Sequence, residues 1–281
     1  MNIGNCFVCS YKLVCFGKRA AYEYFKCNNC GTIQLNPLPS RETLALLYEK
    51  KYSKAGHHDA SPAESKAVKR ELYNDIKRVV IKYSPKGKVL DYGSGWGGLC
   101  ELLNSNKVQC EGVDQSKEMV TYCNDMSIPV TLGDLNSFPD QTFDTIVMCT
   151  VFEHLIEHDD FLKLAHKKLR NDGFFVSVQP TAHFASFVCS ILKSSGELPD
   201  LNGAFSPPWH TALISCKGMS KLAERNGFNT IEIAMSPNTR RKGFLGFFLR
   251  FIEIINRIAW PIFRERWPLV ICHTFVFKKI L

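Results

Sequence analysis

The chain has 281 residues and a formal net charge of +8 at pH 7, a length that suits one large domain or one domain with a small appendage. No apolar run reaches the roughly 18 residues that a membrane-spanning helix needs. The start of the chain, MNIGNCFVCSYK, lacks the apolar core of a secretory signal, so we expect a cytoplasmic protein. This positive net charge suits anionic partners such as RNA, nucleotide-linked sugars or acidic lipid. A surplus of solvated lysines explains the charge equally well.

Four of the twelve cysteines form two CxxC pairs near the N-terminus, Cys6 with Cys9 and Cys27 with Cys30. The segment between the pairs reads as a β-hairpin made of YKLVCF and AYEYFK. A hairpin that joins two such pairs presents four thiolates to one tetrahedral zinc ion and leaves no open position for catalysis. We therefore predict a structural zinc ribbon over 1–39, whose folding depends on metal because so short a segment cannot bury a core. The other eight cysteines are scattered and are interpreted as small buried apolar residues.

Residues 40–85 are assigned to a helical connector. A short helix is predicted over 41–52, followed by a loop. A longer helix then begins with a capping box, in which Ser61 and Glu64 satisfy each other's backbone N–H groups. Apolar residues recur at helical spacing along it, so one face should pack on a core while Lys69 and its basic neighbours face water or a partner.

From residue 88 onward, short apolar strands alternate with helical patterns. Strands are predicted at KVLDYG, VQCEGVD, IPVTLGD, FDTIVMCT and FFVSVQPT, with helices such as WGGLCELLNSN between them. This alternation predicts an α/β fold, a doubly wound parallel sheet with helices on both faces. Residues 86–281 are assigned to this domain, with NTIEIAMS and PLVICHTFVFKK as its sixth and seventh strands.

The stretch VLDYGSGWGG ends the first strand of that sheet and fits two cofactor-binding patterns. Gly93, Gly95 and Gly98 satisfy GxGxxG, the dinucleotide pattern, which is a weak signal alone. Asp91 also precedes three alternating glycines that end at Gly97. Both patterns need a sharp turn whose backbone touches the ligand, but an acid at the strand end favours a cation. S-adenosylmethionine carries an ammonium and a sulfonium, so Asp91 favours that cofactor.

Later strand ends agree with this interpretation. Asp114 ends the second strand, where a carboxylate accepts ribose hydroxyls, and Asp134 follows the third strand, where it meets the adenine amino group. FDTIVMCTVFEHL is a buried fourth strand that ends in small and polar residues. Together these motifs resemble the class I S-adenosylmethionine-dependent methyltransferases over residues 60–235, in particular the small-molecule branch that includes ubiquinone-type O-methyltransferases. The ribbon followed by NPLP and a helix resembles a module of sugar methyltransferases and other enzymes of polysaccharide pathways.

The resemblance implies which residues hold the cofactor. From the methionine end to the adenine end they are Asp91, Gly93, Ser94, Gly95, Gly97, Asp114, Gln115, Asp134 and Leu135. Trp96 departs from the smaller or polar residue of many relatives and is expected to form a wall of the cofactor pocket. The resemblance also implies that the sixth and seventh strands pair antiparallel.

Three residues are candidates for binding the acceptor or removing its proton. Glu153 and His154 follow the fourth strand, and His210 ends the sequence SPPWH. The alternatives are a helix cap for Glu153 and a packed histidine for His154. The tetrapeptide SPPW matches a signature of amino-methylating enzymes, but that signature belongs after the fourth strand and here it follows the fifth. We interpret it as a rigid acceptor-side loop that aims His210, and we interpret Glu157 and His158 as surface groups.

The sequence therefore favours an S-adenosylmethionine-dependent methyltransferase acting at oxygen on a small-molecule, carbohydrate or lipid-linked acceptor. Two alternatives remain open. One is an RNA base methyltransferase, since some of these join a four-cysteine ribbon to this fold and the chain is basic. The other is a non-catalytic zinc-ribbon protein that binds S-adenosylmethionine.

An apolar helical insertion is predicted at about 240–266, where the fold usually has a short turn. Arg250, Glu253 and Arg257 form one narrow polar stripe on it, and basic residues flank both ends. These charges interrupt the apolar run too often for a spanning helix. Two interpretations stay open: a helix buried on the protein's own core or in a homodimer, and a helix lying in the interface of an anionic membrane. The second would hold the enzyme peripherally on the cytoplasmic membrane face.

Overall fold

The computed structural model describes residues 4–40, 42–44, 61–192, 196–238 and 243–280. The larger of its two sheets has seven strands in the order β10-β11-β8-β7-β4-β5-β6. These strands are β4 (Val89–Tyr92), β5 (Cys110–Asp114), β6 (Val130–Leu132), β7 (Phe143–Cys149), β8 (Leu169–Pro180), β10 (Phe228–Met235) and β11 (Cys272–Lys279). Strands β4 to β8 are parallel, and β11 pairs antiparallel with both β8 and β10. The predicted α/β sheet with its antiparallel last strand is confirmed.

Helices cover both faces of this sheet. They are α1 (Pro62–Tyr83), α2 (Gly98–Ser105), α3 (Lys117–Asp125), α4 (His158–Lys168), α5 (Ala182–Leu192), α6 (Cys216–Arg225) and α7 (Gly243–Phe263). Because side chains alternate along a strand, Ile146 and Val147 of β7 enter two different apolar cores. Helices α1, α2 and α3 pack on the Val147 side. Helices α4 and α6 pack on the Ile146 side.

The N-terminal segment forms the second sheet, in the order β1-β2-β3-β9. Its strands are β1 (Leu13–Arg19), β2 (Tyr22–Cys27), β3 (Ile33–Leu35) and β9 (Ala212–Leu213). The hairpin predicted between the two CxxC pairs is therefore present. Strand β9 comes from the far end of the chain, and the ribbon residues Cys6, Val8 and Cys27 share one apolar core with the larger sheet. The ribbon is thus packed into the molecule rather than appended to it.

The connector is described only in part. The predicted helix over 41–52 lies outside the described residues except for 42–44, which are helical. Helix α1 begins as predicted: the Ser61 side chain accepts from the Glu64 N–H, and the Glu64 carboxylate accepts from the Ser61 N–H. Its face bearing Leu72 and Ile76 is buried. This helix therefore closes one side of the sheet next to the turn that follows β4.

The insertion between β10 and β11 is helical, as predicted. Helix α7 is followed by a short 3-10 helix, Arg264–Arg266. Within the described part of the chain, no helix is long and apolar enough to cross a membrane. The insertion begins after β10 and returns to the sheet at Cys272, which lies opposite Pro180, the last residue of β8. It therefore projects from the carboxyl edge of the parallel strands.

Candidate active site

The turn from β4 to α2 requires glycine. Gly93, Gly95 and Gly97 have positive φ angles of 73°, 55° and 71°, a conformation that L side chains rarely adopt. A Cβ atom on Gly93 would lie 2.6 Å from Val151, and one on Gly97 would lie 2.8 Å from Ile128. The turn therefore brings bare backbone to the carboxyl edge of the sheet, where open α/β sheets bind their ligands.

Asp91 is a buried acid beneath this turn. Its side chain is 2% exposed, and burial raises its pKa to about 7, while Lys69 lowers that pKa and Asp114 raises it further. The raised pKa means that the carboxylate is short of compensating positive charge. A cation bound at this edge would supply that charge, so the site fits the ammonium and sulfonium of S-adenosylmethionine.

Asp114 joins the glycine turn to the end of β5. Its two carboxylate oxygens accept the backbone N–H groups of Gly95 and Ser116, each at 2.8 Å. Gln115 beside it is exposed. A carboxylate fixed in this way lies at the strand end where the sequence predicts the ribose contact.

Asp134 is half-buried and caps the short 3-10 helix Leu135–Ser137, where it accepts the Asn136 N–H at 2.7 Å. Leu135 is buried. Ser94 lies in the glycine turn, and its buried hydroxyl has no hydrogen-bond partner among the described residues. Trp96 is half-buried and contacts Tyr122 edge to face at 5.1 Å. The roles of these residues in cofactor binding remain predictions.

The three predicted acceptor-side residues come together. Ligand atoms of Glu153, His154 and His210 lie within 4.8 Å of one another, and the two imidazole rings are 4.7 Å apart. Glu153 and His154 lie on a 3-10 helix directly after β7, whereas a loop after β8 supplies His210. Burial raises the pKa of Glu153 to about 8, with a smaller opposing effect from Lys69. This carboxyl group is therefore largely protonated at neutral pH.

Both histidines are oriented by backbone carbonyls. His154 Nδ1 lies 3.0 Å from the carbonyl oxygen of Trp209, and His210 Nδ1 lies 3.0 Å from that of Ala204. A carbonyl only accepts, so each Nδ1 carries the hydrogen and each Nε2 is the basic nitrogen. The arrangement therefore orients both imidazole rings at the sheet edge through their Nδ1 atoms.

The loop that carries His210 is attached to the N-terminal ribbon. Thr211 donates its N–H to Glu153 O at 3.0 Å. Beyond it, Leu213 of β9 pairs with Ile33 of β3, and the Tyr24 hydroxyl donates to the carbonyl of His210 at 3.4 Å. No local pattern in the sequence indicates this contact, because it joins residues 186 positions apart.

Two surface assignments made from the sequence are wrong. Lys69 is half-buried, and its Nζ lies 3.3 Å from Thr150 Oγ1, one residue past β7. His158 is 2% exposed, stacks on Phe7 of the ribbon at 4.6 Å, and has its pKa lowered to about 4 by burial. Glu157 is half-buried. Helical periodicity placed Lys69 on a polar face, but that face borders the active-site edge rather than open water.

The four ribbon cysteines form a second cluster. Their sulfur atoms all lie within 4.8 Å of one another, with Cys6 and Cys30 at 3.6 Å and Cys9 and Cys27 at 3.4 Å. None of these four cysteines is in a disulfide bond. A tetrahedral ion bound at about 2.3 Å places its sulfur ligands roughly 3.8 Å apart, so the cluster is close to the geometry of a zinc–tetracysteine site.

Comparison with known proteins agrees with this architecture. A family model described as "Methyltransferase domain" matches residues 65–233. Cyclopropane-fatty-acyl-phospholipid synthase of Escherichia coli K12 is 33% identical over 132 residues, which cover 44% of this chain and 34% of that protein. The chain thus spans 34% of the length of the first curated relatives it matches.

Solved structures share the fold. A 1,6-didemethyltoxoflavin-N1-methyltransferase of Burkholderia thailandensis matches with a TM-score of 0.56 at 11% identity, over 95% of this chain and 99% of the other. A SAM-dependent methyltransferase of Archaeoglobus fulgidus matches with a TM-score of 0.52 at 19% identity, over 84% and 99% of the two chains. At these identities the likeness concerns the fold alone.

The glycine turn, the strand-end acids and the antiparallel last strand define a Rossmann-like class I methyltransferase. The chain belongs to the methyltransferase domain family. The sheet edge described above is its candidate active site.

Proposed function

We propose that this enzyme transfers the methyl group to an oxygen atom of a small-molecule, carbohydrate or lipid-linked acceptor. The observation that carries the proposal is the pair His154 and His210, whose rings lie 4.7 Å apart at the sheet edge. A hydroxyl acceptor needs a base that takes its proton, and histidine is the side chain that most often performs this task.

The cofactor is held by the glycine turn, with Asp91 compensating its cationic methionine end and Asp114 accepting ribose hydroxyls. S-adenosylmethionine supplies an electrophilic methyl group on its sulfonium. His154 or His210 would accept the acceptor's hydroxyl proton at Nε2 while the methyl group passes from the sulfonium to the oxygen, and S-adenosylhomocysteine would be the leaving group. The protonated Glu153 adds no negative charge beside the developing alkoxide. Positioning of the reacting groups supplies the remainder of the acceleration.

One relative supports an acceptor in the lipid class. The Escherichia coli relative is a cyclopropane-fatty-acyl-phospholipid synthase, so it is named for a phospholipid product. Only 34% of that protein is matched, so this similarity supports the proposal without fixing the acceptor.

For the ribbon, we propose one structural zinc ion bound by Cys6, Cys9, Cys27 and Cys30. The sulfur positions fit a tetrahedral ion. The hydrogen bond between Cys6 and Cys30 lowers the pKa of Cys30 and raises that of Cys6, as expected for two adjacent thiols that share a proton. Four thiolates complete the coordination shell, which gives the ion a role in folding rather than in catalysis.

The acceptor proposal is tested with methyl-labelled S-adenosylmethionine and fractionated cell extract. We expect label in a polar-lipid, glycolipid or nucleotide-sugar fraction, as an O-methyl group identified by mass spectrometry. His154→Asn and His210→Asn should lower kcat by about 100-fold, with cofactor affinity unchanged. His166→Asn is the matched control, because His166 bonds Ile280 O outside the site. Label found in RNA, or full turnover in both variants, would contradict the proposal.

A further inference from the structure

Helix α7 is anchored to the protein by one face. The inner side chains Leu249, Ile252, Ala259 and Trp260 are 5–7% exposed. Trp260 contacts the ring of His273 on β11 at 5.3 Å. This part of the sequence expectation, a helix packed on the protein's own core, therefore holds for the inner face.

A buried polar residue also fixes the rotation of the helix about its axis. Asn256 is 4% exposed. Its amide donates to Leu269 O at 3.1 Å and accepts the Trp267 indole N–H at 2.8 Å. Because both amide groups are satisfied by the segment that leads back to β11, the opposite face must point outward.

The outward face carries an apolar stripe. Five large side chains on it are exposed, namely Phe247 (71%), Phe251 (55%), Ile254 (59%), Ile258 (70%) and Ile262 (73%). At about 100° per residue they fall within an arc of roughly 80°. Large apolar side chains repeated along one line for four turns are far more than the scattered exposed residues of an ordinary surface.

Arginines border this stripe. Arg250 and Arg257 lie on one edge of it, and Arg264 and Arg266 follow its C-terminal end; all four are exposed. Glu253 pairs with Arg257 at 3.0 Å but is itself largely covered. The outward surface of α7 therefore combines apolar side chains with a positive border.

The helix also has a defined position relative to the chemistry. It leaves the sheet after Met235 at the end of β10 and returns at Cys272, opposite the end of β8. Strand β8 runs parallel to β7, and β7 runs parallel to β4. The insertion thus lies at the same edge of the sheet as the glycine turn and the histidine pair.

We propose that the outward face of α7 docks the enzyme on an anionic membrane surface. The apolar side chains enter the boundary between head groups and acyl chains, and the arginines reach the lipid phosphates. Charge decides between this occupant and a second copy of the chain: an acidic bilayer brings the opposite sign to the arginine border, whereas a second copy brings the same sign. Docking would turn the active-site edge towards an acceptor that resides in the membrane. The inference rests on the helix itself and goes beyond the proposed oxygen chemistry.

The test is flotation of the full-length protein with liposomes of phosphatidylcholine alone or with added phosphatidylglycerol. We expect the protein to float with the acidic liposomes and to be released by high salt. Phe247→Glu/Ile258→Glu should lower the bound fraction by roughly tenfold or more. Ile81→Glu/Met126→Glu is the matched control, because these residues are also exposed, at 43% and 56%, but lie on α1 and just after α3.

Circular dichroism and calorimetric titration with S-adenosylmethionine establish that each variant is folded. Equal flotation of the Phe247→Glu/Ile258→Glu variant and the wild type would overturn the proposal. So would a folded wild type that floats with neither liposome, and a wild-type dimer that this variant dissociates would then assign the face to a second copy. The oxygen-transfer proposal has a separate readout, label in an extract fraction, so the two can fail independently.

Discussion

The cofactor side and the acceptor side of the active site are built in different ways. The proposed cofactor side uses residues 91–135, in which each acid lies at or just after the end of its own strand and Asp114 accepts the N–H of Gly95 in the glycine turn. The acceptor side joins His154 to a loop 55 residues away. That loop is held in turn by Tyr24 of the ribbon.

This difference has a functional consequence. Neighbouring strand ends of one sheet fix the proposed cofactor contacts, so these contacts should survive damage to the ribbon. The histidine pair depends on the β3–β9 pairing and on the ribbon core. Its geometry should therefore be lost when the ribbon is damaged. Changes placed in the two regions therefore separate cofactor binding from methyl transfer.

The largest effect is expected from Cys6→Ser. Loss of one buried thiolate ligand should abolish zinc retention and lower the free energy of unfolding by more than about 4 kcal/mol, because the metal supplies the folding energy of the ribbon. Solubility and methyl transfer should fall, whereas cofactor affinity should change much less. Elemental analysis, chemical denaturation and calorimetry measure these quantities.

The control for that variant is Cys15→Ser, since Cys15 is an exposed thiol on β1 outside the cluster. Wild type should carry one zinc ion per chain. Zinc that persists after all four cluster cysteines become serine would refute the ligand assignment, and equal losses of stability and cofactor affinity would break the distinction between the two regions.

Asp114→Ala should have the opposite effect to Cys6→Ser: cofactor affinity should fall while zinc binding is kept. The variant leaves the N–H groups of Gly95 and Ser116 without their carboxylate acceptor and removes the predicted ribose contact. Affinity for S-adenosylmethionine should fall on the order of 100-fold, measured by calorimetry, while zinc content stays at the wild-type level. Asp125→Ala removes an exposed acid at the end of α3 and should bind normally. Wild-type affinity in Asp114→Ala would remove this residue from the cofactor site.

The smallest expected effect is on the pH dependence of cofactor affinity and on its shift in Lys69→Met. The cationic cofactor favours ionised Asp91, whose pKa is about 7 in the free protein. Protonation therefore competes with binding, and affinity should be roughly tenfold weaker at pH 6 than at pH 8. Lys69→Met removes the charge that lowers this pKa, so the affinity profile should move to higher pH, by roughly half a unit to one unit.

The control for the pH experiment is Arg70→Met, on the exposed side of α1. It should leave the calorimetric pH profile unchanged. If affinity does not depend on pH between 6 and 8, Asp91 does not compensate the charge of the cofactor. An identical shift in both variants would show that the effect is not specific to Lys69.

The sequence determined features that depend on neighbours along the chain. The capping box at Ser61, the positive-φ glycines after β4 and the hairpin between the CxxC pairs each follow from local hydrogen bonds or backbone sterics. The parallel sheet followed from the alternation of apolar runs with helical patterns, and its antiparallel last strand followed from the resemblance to a known fold. These signals are strong because residue type and structure are linked within a few positions.

The tertiary structure decided what the chain's own periodicity does not encode. Helical spacing assigns Lys69 to a polar face, but only the packing of α1 beside β7 brings its Nζ to Thr150. His158 became buried because Phe7 of the ribbon covers it. The apolar pattern of α7 likewise identified a helix but not its rotation, which the contacts of Asn256 fix. The first two outcomes depend on a surface that a distant part of the chain supplies, and the third depends on how the segment after α7 folds back against it. A sequence pattern gives the composition of a helix face, but it does not say which surface will cover that face.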